Sequence, residues 1–114
     1  MLNETVRDHL NQQVNKEFYS AYLYLDFSNY FEAKGLDGFA NWYKVQAQEE
    51  RDHAMLFYQY LHNNSAPVTL EAIAKPDVVL ESDLGVLKAG LAHELYVTCL
   101  LYTSDAADDL TRVD

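Results

Sequence analysis

Glu50 and His53 stand three residues apart within QAQEERDHAMLFYQYL, residues 46–61, a run without Gly or Pro and rich in straight-chain helix formers. On a helix that spacing makes the two side chains neighbours on one face. Together they offer a hard oxygen donor and a borderline nitrogen donor, a pairing that suits a transition metal. Extended toward the N-terminus, the run carries a stripe at steps of four and three: Phe39, Tyr43, Gln46, Glu50, His53, Phe57, Tyr60. Such a stripe is expected to face a partner as a buried seam. An ionised carboxylate buried there without compensation is costly, and a metal ion supplies the compensation. Glu-x-x-His is how bundle-core di-iron sites draw two ligands from a single helix. Taken alone, the pair has a plainer alternative, a hydrogen-bonded polar contact inside a bundle.

Two further seams repeat the pattern. The first helix is expected from about Asn3 to Ala33, with Asn3 as N-cap and Glu4 at the positive end of the dipole. Its stripe is Val6, Leu10, Val14, Glu17, Ala21, Tyr24, Ser28, Phe31, and Glu17 is the only acid on it. Gly35 fits a helix stop, and the short connection makes the second helix, about Leu36 to Asn63, an antiparallel neighbour. Glu17 and Glu50 then lie at similar height. A third helix is expected to start behind Ser82 as N-cap, with a stripe of Leu84, Leu87, Leu91, Glu94 and Thr98. Glu94 is again the single carboxylate. For Glu17 and Glu94 the plain alternative is a snorkelling or exposed acid, but three seams each bearing one mid-height acid favour a shared metal site.

Between the second and third helices lies SAPVTLEAIAKPDVVLES, residues 65–82, which holds both prolines and no helical stripe. Extended, it reaches roughly 55–60 Å, against roughly 40 Å for the second helix. It is expected to carry the chain back along the bundle, with Val68, Leu70 and Ile73 outside, leaving the third helix parallel to the second. The fold class is therefore all-α, a long-crossover bundle.

With 114 residues, 49% hydrophobic and 13% aromatic, the composition is that of one globular domain. Lys and Arg number 8 against 18 Asp and Glu, a net charge of −10, which excludes the basic patches of a nucleic-acid surface and suits cations. The lone cysteine, Cys99, excludes an intrachain disulfide framework. No apolar run is long enough for a membrane span or signal peptide, so no membrane partner and a cytoplasmic location are the expectation.

The chain resembles non-haem bacterial ferritin from Met1 to about Thr98. The resemblance is carried by NKEFYSAYLYL around Glu17 and Tyr24, GFANWYKVQAQEERDHAMLFYQYL around Glu50 and His53, and AHELYVT around Glu94. It implies a ferritin-like four-helix bundle with a long crossover, here truncated to the first three helices. It also implies a 24-subunit cage, oxidation of Fe(II) by O2 or H2O2 at a di-iron centre, and storage of ferric mineral. By the same resemblance the first iron is held by Glu17, Glu50 and His53, and Glu50 bridges to a second iron also held by Glu94. Tyr24 matches a tyrosine beside the centre, as a redox or ligand-orienting group or simply a core aromatic. Glu49 matches an acid of a third, peripheral iron site. No haem is expected, because Arg51 stands where bacterioferritins place the haem-ligating methionine. Residues 1–98 are thus a partial di-iron domain. Residues 99–114, beginning CLLYTSDAADD, are similar to a translated sequencing adapter and are taken as a non-native tail. Lacking a fourth helix, the chain is expected to oxidise iron poorly and to leave a seam of Leu10, Val14, Phe57, Leu87 and Leu91 open. The alternative function is an inactive helical fragment that only self-associates or binds metal.

Overall fold

The computed structural model describes residues 2–102; the side chains of residues 98–102 and all of residues 103–114, and with them Cys99 and the adapter-like tail, lie outside the described residues. Three helices follow in order: α1 (Glu4–Ala33), α2 (Asp37–Asn63) and α3 (Asp83–Tyr102). The chain divides into two compact units, Met1–Leu80 and Glu81–Asp114.

The helix limits follow from local chemistry. Asn3 caps α1 by accepting the Val6 N–H at 2.9 Å. At the other end Gly35 takes φ 74°, Gly35 N–H bonds to Glu32 and Leu36 N–H to Phe31, which satisfies two terminal carbonyls and turns the chain. The end of α2 repeats the device with Ser65 at φ 58°; Ser65 N–H reaches His62 and Ala66 N–H reaches Leu61. Ser82 caps α3 by accepting the Gly85 N–H at 3.0 Å.

In the first unit α1 and α2 form an antiparallel hairpin. The α1 seam follows its periodicity for most of its length: Leu10, Val14, Glu17, Tyr24, Ser28 and Phe31 are buried, Val6 and Ala21 are half-buried, and Gln13, Ser20, Leu23 and Phe27 are buried beside the stripe. The α2 seam differs from expectation. Its buried positions are Ala40, Tyr43, Ala47, Glu50, Ala54 and Leu61. Phe39 is 45% exposed, His53 is exposed, and Gln46, Phe57 and Tyr60 are half-buried. The reason is close approach. Alanines at every seventh position let the backbones come together, and Ser28 Oγ donates directly to the Ala40 carbonyl at 2.7 Å. The bulky residues beside them are turned to the flank. Toward the turn the interface is aromatic: Tyr43 packs edge-on to Phe27 at 5.4 Å, stacks on Phe31 at 6.0 Å and lies 5.8 Å from Tyr24.

The crossover runs back along α1. Asn11 and Asn15, one helical turn apart, clasp its backbone. Thr69 N–H donates to Asn11 Oδ1 at 2.8 Å, Glu71 N–H donates to Asn15 Oδ1 at 2.8 Å, and both asparagine amides donate to the Thr69 carbonyl. Further on, Ile73 borders a cleft with Phe18 and Tyr22, and Lys75 and Pro76 border one with Asp26 and Asn29. Ile73 serves the expected packing role in part; Leu70 is 64% exposed.

The expected open seam does not form as a set. Leu10 and Val14 are fully buried, Phe57 and Leu87 are half-buried, and only Leu91 is largely exposed, at 63%. On α3 the described buried positions are Val86 and Gly90, while Leu84 and Glu94 are exposed. Leu84, Leu87, Leu91 and Leu95 share one side of this helix, whereas Val86, fully buried, lies on the opposite side, so the leucine stripe does not mark the buried face.

Candidate metal centre

Glu17 sits near the middle of α1 and Glu50 is the central residue of α2. Because the helices are antiparallel and joined by a tight turn, mid-helix meets mid-helix. Glu17 and Glu50 are 4% and 8% exposed, whereas the His53 side chain, one turn along α2, is 53% exposed. The centre is therefore walled by α1 and α2 and opens on the flank where His53 stands.

One ligand atom from each of Glu17, Glu50 and His53 lies within 4.8 Å of the others. His53 Nδ1 is 3.5 Å from Glu50 Oε2 and 3.8 Å from Glu17 Oε2. Both separations exceed a good N–H···O hydrogen bond. They match donors that share an ion: two bonds of about 2.1 Å meeting at roughly 110–130° put their donor atoms about 3.4–3.8 Å apart. The donor set, two carboxylates and one imidazole, fits iron. With Nε2 protonated, the imidazole presents the Nδ1 lone pair to the same point as the carboxylate oxygens.

Three other residues are expected at the site. Tyr24 is 1% exposed, two turns along α1 from Glu17, and its ring packs on Phe27 and Tyr43. Glu49 is exposed on α2, about 100° round the helix from Glu50. Glu94 is exposed on α3, in the second unit. Among the described residues no helix is long and apolar enough to cross a membrane.

Known proteins are similar to this chain in sequence and fold. A bacterial non-heme ferritin of Staphylococcus saprophyticus is 38% identical over 95% of this chain and 65% of its own length. One from Staphylococcus epidermidis is 36% identical over 90% of this chain and 61% of its own. The chain thus spans somewhat under two thirds of the length of these curated relatives. An open pore ferritin from the hyperthermophilic archaeon Archaeoglobus fulgidus superposes with a TM-score of 0.85 at 36% identity, covering 97% of this chain and 71% of that one. A humanized archaeal ferritin superposes at 0.86. The all-α fold expected from the seams, and the ferritin-like form of it that the resemblance implies, are the fold found. Residues 7–107 match the Ferritin-like domain, and the chain belongs to the ferritin family.

Proposed function

We propose that the chain is the ligand-bearing part of an iron storage protein with ferroxidase activity. The convergence of Glu17, Glu50 and His53 carries this reading. Fe(II) is the substrate. The two carboxylates bind it and, as hard anionic donors, favour Fe(III) over Fe(II); His53 supplies the nitrogen donor suited to the reduced ion. Each iron gives up one electron. A pair of irons reduces O2 with two protons to H2O2, or reduces H2O2 with two protons to two waters.

Glu50 has a second oxygen with which to bridge to a second iron, and Glu94 is proposed to hold that iron. Glu49, exposed on α2, is proposed for a peripheral site, and Tyr24 to orient or exchange electrons with the centre. Assembly into a 24-subunit cage, mineral storage in its interior and a cytoplasmic location are proposed on family membership. The absence of haem is proposed from Arg51. The second reading, a metal-binding helical module without turnover, is favoured by the exposure of Glu94.

Aerobic Fe(II) oxidation, followed by ferric absorbance, separates the two. It is measured on the 114-residue chain and on the chain extended after Thr98 by the remaining segment of a curated relative. The ferroxidase reading expects a fast phase in the extended protein that Glu50→Ala abolishes. The fast phase surviving Glu50→Ala would exclude this centre as its source.

A further inference from the structure

We propose that Tyr24 and Tyr43 form an oxidative modification site, where oxidising equivalents not met by iron join the two rings by a carbon–carbon bond. The inference rests on the reading of Glu17, Glu50 and His53 as the iron site. It adds Tyr43, a buried phenol on α2 that this reading does not use.

Placement is the first support. Tyr24 follows Glu17 by seven residues on α1, and Tyr43 precedes Glu50 by seven on α2. The helices are antiparallel, so equal steps from facing carboxylates bring the two phenols together, about 10 Å along the seam. The rings do meet: their centroids lie 5.8 Å apart with planes tilted by 41°. They are in contact but not stacked, so ring edges take part in the approach.

The surroundings are the second. Tyr24 is 1% exposed and Tyr43 6%. Phe27 packs on both rings and Phe31 stacks on Tyr43. Phenylalanine is harder to oxidise than tyrosine, and the pair is shielded from water. A phenoxyl radical formed on one ring is therefore held against the other. All these contacts lie within the α1–α2 hairpin.

Electron count is the third. H2O2 takes two electrons to become two waters, and one Fe(II) gives one. When peroxide meets a single Fe(II) at Glu17, Glu50 and His53, a side chain must give the second. One Fe(II), one tyrosine phenol, one H2O2 and one proton then yield Fe(III), a phenoxyl radical and two waters. A second event places a phenoxyl on the other ring. The two radicals join through the carbons ortho to their oxygens. The hydrogens on those carbons leave as protons and the oxygens take up protons, which restores both phenols. The product has lost two hydrogens and carries a covalent link between α1 and α2 of one chain.

The test uses the full 114-residue chain and two oxidants. The metal-free chain is photo-oxidised with ruthenium tris-bipyridyl and persulfate. Separately, the chain is loaded with one Fe(II), bound iron is counted, and H2O2 is added. Trypsin places Tyr24 in residues 17–34 and leaves Tyr43 as the only tyrosine of residues 35–44. With either oxidant the expected result is a joined peptide two hydrogens lighter than the sum, with dityrosine fluorescence, from chains of monomer mass. Tyr24→Phe and Tyr43→Phe, each checked for unchanged helix content by circular dichroism, are expected to lose it. Glu50→Gln is expected to lose it with iron and peroxide and to keep it under photo-oxidation. No joined peptide under photo-oxidation overturns the pair, and a joined peptide that persists in Tyr24→Phe overturns Tyr24 as the partner. Linking by light but not by bound iron with peroxide, or iron-driven linking retained in Glu50→Gln, overturns the centre as the source. A chain that binds no iron overturns the iron-site reading itself, and with it the source.

Discussion

Asn11 and Thr69, separated by 58 residues in the chain, hold each other in both directions: Thr69 N–H donates to Asn11 Oδ1 at 2.8 Å, and Asn11 Nδ2 donates to the Thr69 carbonyl at 3.2 Å. A side-chain amide here completes the hydrogen bonding of a backbone that belongs to no helix or sheet. The pairing fixes the register of the crossover on α1.

Asn11→Ala removes both bonds. Net contributions of about 0.5–1.5 kcal/mol each predict a loss of about 1–2 kcal/mol in a denaturant titration. Hydrogen exchange at the Thr69 amide should accelerate, while Glu71, held by Asn15, keeps more of its protection. Equal exchange at Thr69 in both proteins would show that the bond is not formed in solution.

Phe27 is fully buried and packs on both Tyr24 and Tyr43. Phe27→Ala should destabilise the hairpin by about 3–5 kcal/mol, the range for deleting a core aromatic. The near-ultraviolet circular dichroism of the tyrosines should fall with it.

Ser65 occupies a left-handed backbone position at φ 58°, where an L side chain is strained. Gly35 does the same at the end of α1 with no side chain to strain. Ser65→Gly should therefore stabilise by about 0.5–1 kcal/mol, the relief exceeding the added freedom of the unfolded chain. Gly35→Ala should cost about 1–2 kcal/mol. A Cβ there meets nothing within 4 Å, so its cost is conformational alone. Paired thermal melts check both signs.

The Tyr19 phenol has its pKa raised from 10.0 by burial first, then by the charges of Asp77 on the crossover and Asp26 on α1. The fold thus favours the protonated phenol. Above the unfolded value the unfolded chain releases its proton while the folded one keeps it, so the folded state binds more protons and stability falls as pH rises. The contribution is intact below pH 10.0 and is lost between there and the raised folded value. A difference titration of the phenolate absorbance against Tyr19→Phe should show the shift, and Asp77→Asn should reduce it.

Much of this was legible in the residues because it rests on periodicity or on single-residue chemistry. Asn3 and Ser82 mark helix ends by what their side chains accept from terminal backbone groups, and Gly35 by the left-handed backbone it allows. The α1 stripe is a run of large apolar residues broken by one acid, and Glu50 with His53 announces itself by type and spacing. The α2 seam was misjudged by about one position because large residues dominate a periodic reading. Close-packed helices instead select small ones, here Ala40, Ala47 and Ala54. The Asn11 and Asn15 clasp had no signal at all. Two polar residues on the outer face of a helix look solvated until a distant backbone is laid against them. On α3 the stripe read from sequence, Leu84, Leu87, Leu91 and Glu94, is mostly exposed while Val86 and Gly90 are buried, because apolar residues surround the helix and its leucines do not single out the buried face.

The tight turn at Gly35 has a consequence for how the chain is made. Glu17, Glu50 and His53 all lie within the first 53 residues, joined by a connection whose closure costs little entropy. The crossover clasp, by contrast, must close across more than fifty residues. Synthesis proceeds from the N-terminus, and local contacts form before distant ones. These three side chains are therefore brought together on the nascent chain before the crossover has been laid against α1. If the three residues bind metal as proposed, an ion captured at that stage would select the antiparallel register early.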